Sequence, residues 1–281
     1  MKQDIYQVEQ IAPQTWRIDE CGRDNCYLLC GRERALLIDC TIGTGDLMDV
    51  VRNLTDLPLT VAVTHAHGDH AGGGYQFGTI YVPRAETDRT WRGPNMRVFR
   101  KQLLSNRMKK SGITKANVRG NNLKTNWLPY DDGAVFDLGG RTVRAAAVPA
   151  HTIGGMVFLD ETNRLAFLGD TVCPVLPMHT YRALPLQSFD DQSDRLTTLL
   201  DGYTLFCGHG DGRVTHELVQ KQIAWVREIL AKYPANAAKH GKQYYPAFDP
   251  SGCVGYDPAN LYPTDRKKGW TIASWNSILR G

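Results

Sequence analysis

Between residues 64 and 73 the chain reads Thr64-His65-Ala66-His67-Gly68-Asp69-His70-Ala71-Gly72-Gly73. Three imidazoles and a carboxylate within six residues cannot all face one way along a strand, because strand side chains alternate. Residues 60–64 (Thr60-Val61-Ala62-Val63-Thr64) are β-branched and apolar, as a strand requires. The segment therefore reads as a loop that ends a strand and begins a helix. Glycines 68, 72, 73 and 74 would let such a loop fold tightly around a small object. Neutral imidazole and carboxylate are ligands that suit zinc or a similar divalent ion. The bland alternative is a solvated histidine-rich loop, which the spacing disfavours.

Five of the eight histidines (His65, His67, His70, His151 and His209) each follow an apolar run, where a strand would deliver them to one edge. Strands are predicted at 26–30, 35–39, 60–64, 79–82, 141–148, 155–159 and 164–168. A short helix is predicted at 45–51 and an amphipathic one from Pro94 to Gly112. Two more follow: one after Ser188 with Asp191 as a capping-box-like partner, and one from Thr215 to Tyr233, stopped by Pro234. Strands in two groups with intervening helices imply an α/β layered fold, whose strand order the pattern leaves open.

Composition narrows the setting. A 42% hydrophobic content and a net charge of +4 exclude disorder as the dominant state. No run approaches the roughly eighteen apolar residues of a spanning helix. The first residues lack the apolar core of a secretory signal, so the expectation is a cytoplasmic protein. Seven cysteines, with no C-x-x-C pair, argue against a disulfide framework. Buried structural thiols are expected, with Cys173 the one candidate to face a pocket. His216 and His240 read as surface histidines.

The pattern H-x-H-x-D-H followed by A-G-G resembles the signature of the metallo-β-lactamase-fold hydrolases. Val148-Pro149-Ala150-His151-Thr152-Ile153-Gly154-Gly155 resembles that family's P-G-H-T-x-G-S stretch, departing from it at Ala150 and Gly155. Leu168-Gly169-Asp170-Thr171 resembles its G-D-T stretch, and Cys207-Gly208-His209-Gly210 its G-H-G. Asp39 matches an early strand-end aspartate that supports the ligand loop. The likeness spans residues 5–235. It implies a four-layer αββα sandwich with a dinuclear site at one edge. His65, His67 and His151 would hold one divalent ion, and Asp69, His70 and His209 the other. Asp170 would bridge the two. Zinc is the expected metal, with iron or manganese as alternatives. The resemblance further implies a metal-bridging hydroxide that attacks a carbonyl or phosphoryl centre, with Asp69 handling a proton for the leaving group. Complete second-site ligands weigh against the single-iron sulfur-oxidising members. His67 stands where diiron oxygen-reducing relatives are expected to have glutamate.

Substrate is less constrained. From Arg89 to Lys124 there are eleven basic residues and no acidic one, so the rest of the chain carries 4 − 11 = −7. This insert (89–125) is either a solvated face, a subunit contact, or an attractor of an anionic substrate; nucleic acid is a weaker option. The expected reaction is hydrolysis of a small, anionic ester, thioester or lactone. Glyoxalase II-type and acyl-homoserine lactonase-like branches are the comparison. Phosphodiester cleavage or an iron-dependent oxidoreductase is the alternative, and a β-lactam is disfavoured. His179 and Tyr181, on a Pro-rich stretch after Asp170, are candidate oxyanion donors. The domain is expected over residues 1–240. The aromatic tail 241–281 is expected to pack on it or to form a homodimer surface. No membrane partner is expected.

Overall fold

The structure is a computed structural model that describes residues 5–87, 125–174, 176, 178 and 183–232. Several sequence expectations lie outside the described residues: all of the basic insert but Thr125, the 94–112 helix, His179, Tyr181, His240 and the 241–281 tail.

Two sheets face each other. The first has the order β1 (Tyr6–Ala12), β2 (Thr15–Glu20), β3 (Asp24–Cys30), β4 (Ala35–Ile38), β5 (Leu59–Ala62), β6 (Thr79–Pro83) and β7 (Asn126–Tyr130). The second has the order β13 (Arg213–Val214), β12 (Thr204–Phe206), β11 (Leu165–Phe167), β10 (Met156–Asp160), β9 (Thr142–Ala147) and β8 (Val135–Asp137). The two-residue period of a strand sorts their side chains. Tyr27, Leu29, Leu36, Ile38, Phe158 and Phe167 fill the core between the sheets. Their neighbours Cys26, Leu28, Ala35 and Leu37 point outward, onto Leu47 and Val51 of helix α1 (Leu47–Leu54). On the far side, Val157, Leu159 and Ala166 meet two helices, α3 (Leu186–Leu200) and α4 (His216–Lys232). Strands covered on both faces read as continuous apolar runs, which is why the central ones were visible in the sequence. The layers are those of an αββα sandwich.

Strand direction decides where the polar residues gather. β4, β5, β6 and β7 run parallel. β11 and β12 are parallel, and β10 is antiparallel to both β9 and β11, so β9, β11 and β12 run one way. Asp39 follows β4, His65 follows β5, His151 follows β9, Asp170 follows β11 and His209 follows β12. Chain ends of like-directed strands leave a sheet at one edge, the usual place for a site in α/β folds.

Several local expectations are corrected. The helix expected after Ser188 begins at Leu186 behind Pro185, without a side-chain cap, and Asp191 instead accepts from Gln187 Nε2 at 3.0 Å along one helix face. Proline suits a helix start because its fixed φ costs nothing there. The helix expected from Thr215 begins at His216, with Thr215 just before it and its hydroxyl accepting from Leu218 N at 3.1 Å. Cys173 is buried under the helices, and Gln222 Nε2 donates to its carbonyl at 2.7 Å.

At the end of the sandwich away from the histidines, Arg141 is buried between the sheets. It donates to Asp160 Oδ2 at 2.6 Å, to the carbonyls of Gln14 and Cys30, and to Thr15 Oγ1. Removing one partner of a buried pair leaves the other charge uncompensated. Arg141→Ala is expected to lower unfolding free energy by about 3–5 kcal/mol in urea denaturation. Arg141→Met combined with Asp160→Leu should recover most of that loss.

Candidate metal centre

The histidine segment leaves β5 and turns at once into α2 (Gly68–Ala71), followed by a 3-10 turn over Gly72–Gln76. The glycines here serve close approach rather than a left-handed turn. A Cβ at Gly73 would collide with the carbonyl of Cys40, so the strand-end loop after β4 and the helix could not touch. That contact brings Asp39 under the histidines. Asp39 holds φ at +62°, uncommon for a residue with a Cβ. Its carboxylate compensates by accepting from Thr64 N at 2.7 Å, Thr64 Oγ1 at 2.9 Å and His70 Nδ1 at 2.9 Å.

Each imidazole that is anchored on one nitrogen turns its other nitrogen to a common point. His70 is held through Nδ1 by Asp39, so Nε2 faces Asp170 Oδ1 at 3.2 Å. His209 donates from Nδ1 to the carbonyl of Arg23 at 3.0 Å and directs Nε2 at Asp170, 3.1 and 3.3 Å from its two oxygens. His65 places Nδ1 at 3.1 Å from Thr64 Oγ1 and turns Nε2 inward. Backbone bonds stitch the bearing loops together: Asn25 N to Gly208 O at 2.8 Å, Gly208 N to Gly169 O at 2.9 Å, and Met156 N to Thr64 O at 2.9 Å. Orientation of this kind normally fixes the tautomer of a metal-ligating histidine.

Two groups result. His65, His67, His151 and Asp170 form one, and Asp69, His70 and His209 the other, with each group's ligand atoms within 4.8 Å of one another. Asp170 touches both, its Oδ2 lying 3.3 Å from His151 Nε2. All seven residues proposed from the sequence are therefore brought together. Only Asp69 and His209 retain appreciable exposure.

The first group fits a cation by a simple count. His65 Nε2, His67 Nδ1 and His151 Nε2 form a triangle with sides of 3.0, 3.2 and 2.9 Å. A hydrogen bond needs one donor and one acceptor. Three atoms in a triangle cannot be paired that way on every side, so one side must join two lone pairs or two protons. An ion bound at the centre satisfies all three lone pairs. Ligand nitrogens at about 2.0–2.1 Å from a tetrahedral zinc are themselves about 3.3 Å apart, close to the spacing here. Where the two groups meet, His70 Nε2 and Asp170 Oδ1 are buried and 3.2 Å apart yet not aligned as a hydrogen bond, the mark of groups aimed at a ligand.

The electrostatics differ between the two groups. Burial, and then the imidazoles of His70, His67 and His151, push His65 well below the ordinary histidine range, leaving it neutral. Burial opposes charge on His70 and His209, but the Asp170 carboxylate outweighs it and raises both, helped by Asp39 and Asp24 respectively. Burial likewise opposes the charge on Asp170, yet His209, His70 and His151 hold it well below the usual carboxylate range. Burial drives the Cys207 thiol up to about 12, which removes it as a thiolate ligand near neutral pH.

One buried acid near the site escaped the sequence reading. Glu86 follows β6 and accepts from Ala66 N and Gly154 N. It belongs to no histidine motif. Its sequence signal was its place after a strand of the parallel set that also delivers Asp39 and His65. Asp39→Ala removes the support of both Thr64 and His70. It should weaken zinc binding about 10–100-fold in a competition titration, with far-UV circular dichroism unchanged.

A sequence profile of the metallo-beta-lactamase superfamily matches residues 20–209. The acyl-coenzyme A thioesterase MBLAC2 of Bos taurus is 30% identical over 173 residues, covering 56% of this chain and 61% of that protein. The atrochrysone carboxyl ACP thioesterase of Emericella nidulans is 28% identical, covering 59% of this chain and 46% of that one. The chain thus spans less than two thirds of the length of either relative. Among solved structures, a metallo-beta-lactamase from Pontibacter korlensis superposes with a TM-score of 0.56 at 16% identity, over 79% of this chain and 99% of that one. By the extent of the profile match and the order of its histidine and aspartate blocks, the chain belongs to the metallo-beta-lactamase superfamily.

Proposed function

We propose that the protein is a metal-dependent hydrolase of acyl thioesters, with two divalent ions, zinc by preference, held by the seven residues above. The observation that carries the reading is the position of Asp170. Its carboxylate stands within 3.1–3.3 Å of His70 and His209 on one side and His151 on the other, as a bridge between two ions would. Imidazole and carboxylate donors suit zinc, and iron or manganese would accept the same set. The choice of a thioester over an ester or lactone rests on the relatives named as thioesterases.

Bound divalent ions would supply Lewis-acid polarisation of the scissile carbonyl and a water acidic enough to attack near neutral pH. The chain's own residues do the rest. Neutral His65 offers a lone pair without a proton to displace. Ionised Asp170 spans the two ligand groups and balances their charge. Asp69, the partly exposed carboxylate beside His70 and His209, takes the proton of the attacking water and passes it to the departing sulfur. The new carbon–oxygen bond forms as the carbon–sulfur bond breaks, giving a carboxylic acid and a thiol. A thiol, with a pKa of about 8.5, departs readily, so a single partly exposed carboxylate is a sufficient acid.

The eleven basic residues between Arg89 and Lys124 support an anionic carrier on the substrate, such as a phosphorylated thiol. Among the described residues no helix is long and apolar enough to cross a membrane.

Zinc-loaded protein is expected to cleave acyl-coenzyme A with kcat/KM at least about a hundredfold above a lactone or a phosphodiester, a difference of about 2.7 kcal/mol in transition-state binding. A reversed order overturns the thioester assignment. Replacing His65 and His67 together with alanine should lower kcat/KM by about a thousandfold or more, near 4 kcal/mol. Chelation should abolish turnover, and added zinc should restore it.

A further inference from the structure

Glu86 lies in the 3-10 turn Arg84–Glu86, directly after β6, and is 1% exposed. One carboxylate oxygen, Oε2, accepts from Ala66 N, the amide between His65 and His67. The other, Oε1, accepts from Gly154 N at 3.0 Å, three residues beyond His151. One side chain thus ties the loop bearing two histidines of the triangle to the loop bearing the third. Glu86 belongs to neither ligand group.

The sequence around it is cut to this contact. A Cβ on Gly154 would lie 2.6 Å from Glu86 Cγ and 3.0 Å from its Oε1, so only glycine lets the loop close on the carboxylate. The anchor is itself fixed. Arg84 pairs with Asp131 at 2.7 Å, and β6 and β7 are in register from Thr79↔Asn126 to Pro83↔Tyr130. Tyr130 in turn donates to Val63 O at 2.7 Å, two residues before His65. Because each oxygen takes a different N–H group, an amide in this place would set its NH2 against one of the two donors, which a carboxylate does not.

We propose that Glu86 is a positioning residue that sets the spacing of the His65, His67 and His151 nitrogens, and so the affinity of that group for a divalent ion. The proposal rests on the two-ion reading of the site and deepens it. Loss of the clamp frees the loops at the triangle, whereas His70 and His209 keep their own anchors on Asp39 and Arg23, so its effect falls on one of the two ion positions.

Cobalt(II) titration followed by visible absorbance tests this, with Glu86→Ala, Glu86→Gln and Gly154→Ala compared with the wild type. The wild type should take up two equivalents. Each variant should bind one equivalent normally and the other about 10–100-fold more weakly, with an altered ligand-field spectrum for the weak one. The same variants in a His209→Ala background isolate the triangle and should show the full loss there. Arg141→Ala, which weakens the far end of the sandwich, controls for stability and should leave both affinities unchanged. Should the Glu86 variants misfold, the milder Gly154→Ala carries the comparison. Folded Glu86→Ala and Gly154→Ala that bind both equivalents as the wild type does would overturn the clamp alone. A wild type that takes up no cobalt would overturn the clamp and the metal reading together.

Discussion

The burial of polar side chains at the candidate metal site is the constraint on which this end of the fold depends. His65, His67, His70, His151 and Asp170 are all buried at one end of the sandwich. Their inward-facing atoms approach one another at 2.9–3.3 Å. A group of lone pairs packed that closely out of water is unfavourable unless a cation joins it. On the proposed two-ion reading, folding and ion binding would be linked, as expected where a site is assembled from distant segments.

Everything near that end is arranged to hold the group together. Asp39 accepts left-handed backbone geometry in order to take three hydrogen bonds from Thr64 and His70. Glu20, with no exposure, accepts from the backbone amides of Gly43 and Thr44 and from the hydroxyls of Thr41 and Thr44, holding the loop that leads away from Asp39. Tyr27 reaches from the first sheet to the carbonyls of Cys207 and Gly212 in the second, beside the strand end that carries His209. Rigid strands thus fix the loops, and the loops fix the imidazoles. The proposed hydrolysis would draw on such preorganisation, because ligands held in place need no reorganisation when charge develops on the substrate.

Four of the six strands that escaped the sequence reading share a cause. β1, β7, β8 and β13 are the four sheet edges. Edge strands expose one side and carry polar residues or proline to discourage pairing with other chains. Val8 and Val135 are 46% and 51% exposed, and Pro129 sits within β7, so none of these segments forms an apolar run. β2 is interior, yet Thr15-Trp16-Arg17-Ile18-Asp19-Glu20 reads as polar because its charged residues are satisfied by partners such as Asn25 and Thr44. The glycines at 72 and 73 were legible as special, but their use in close packing against residues 40–43 depends on a neighbour about thirty residues away.

Sequence alone determined the candidate ligands, through the order of their motif blocks, and the class of fold, because buried strands demand apolar runs. Both are local properties, visible in Asp39, in the His65–His70 segment and in Asp170. Tertiary structure alone decided strand order, which nitrogen of each imidazole faces the site, and the part played by Glu86. These depend on contacts such as those from Glu86 to Ala66 and to Gly154. A glutamate among polar neighbours shows nothing of such contacts until the chain has closed around it.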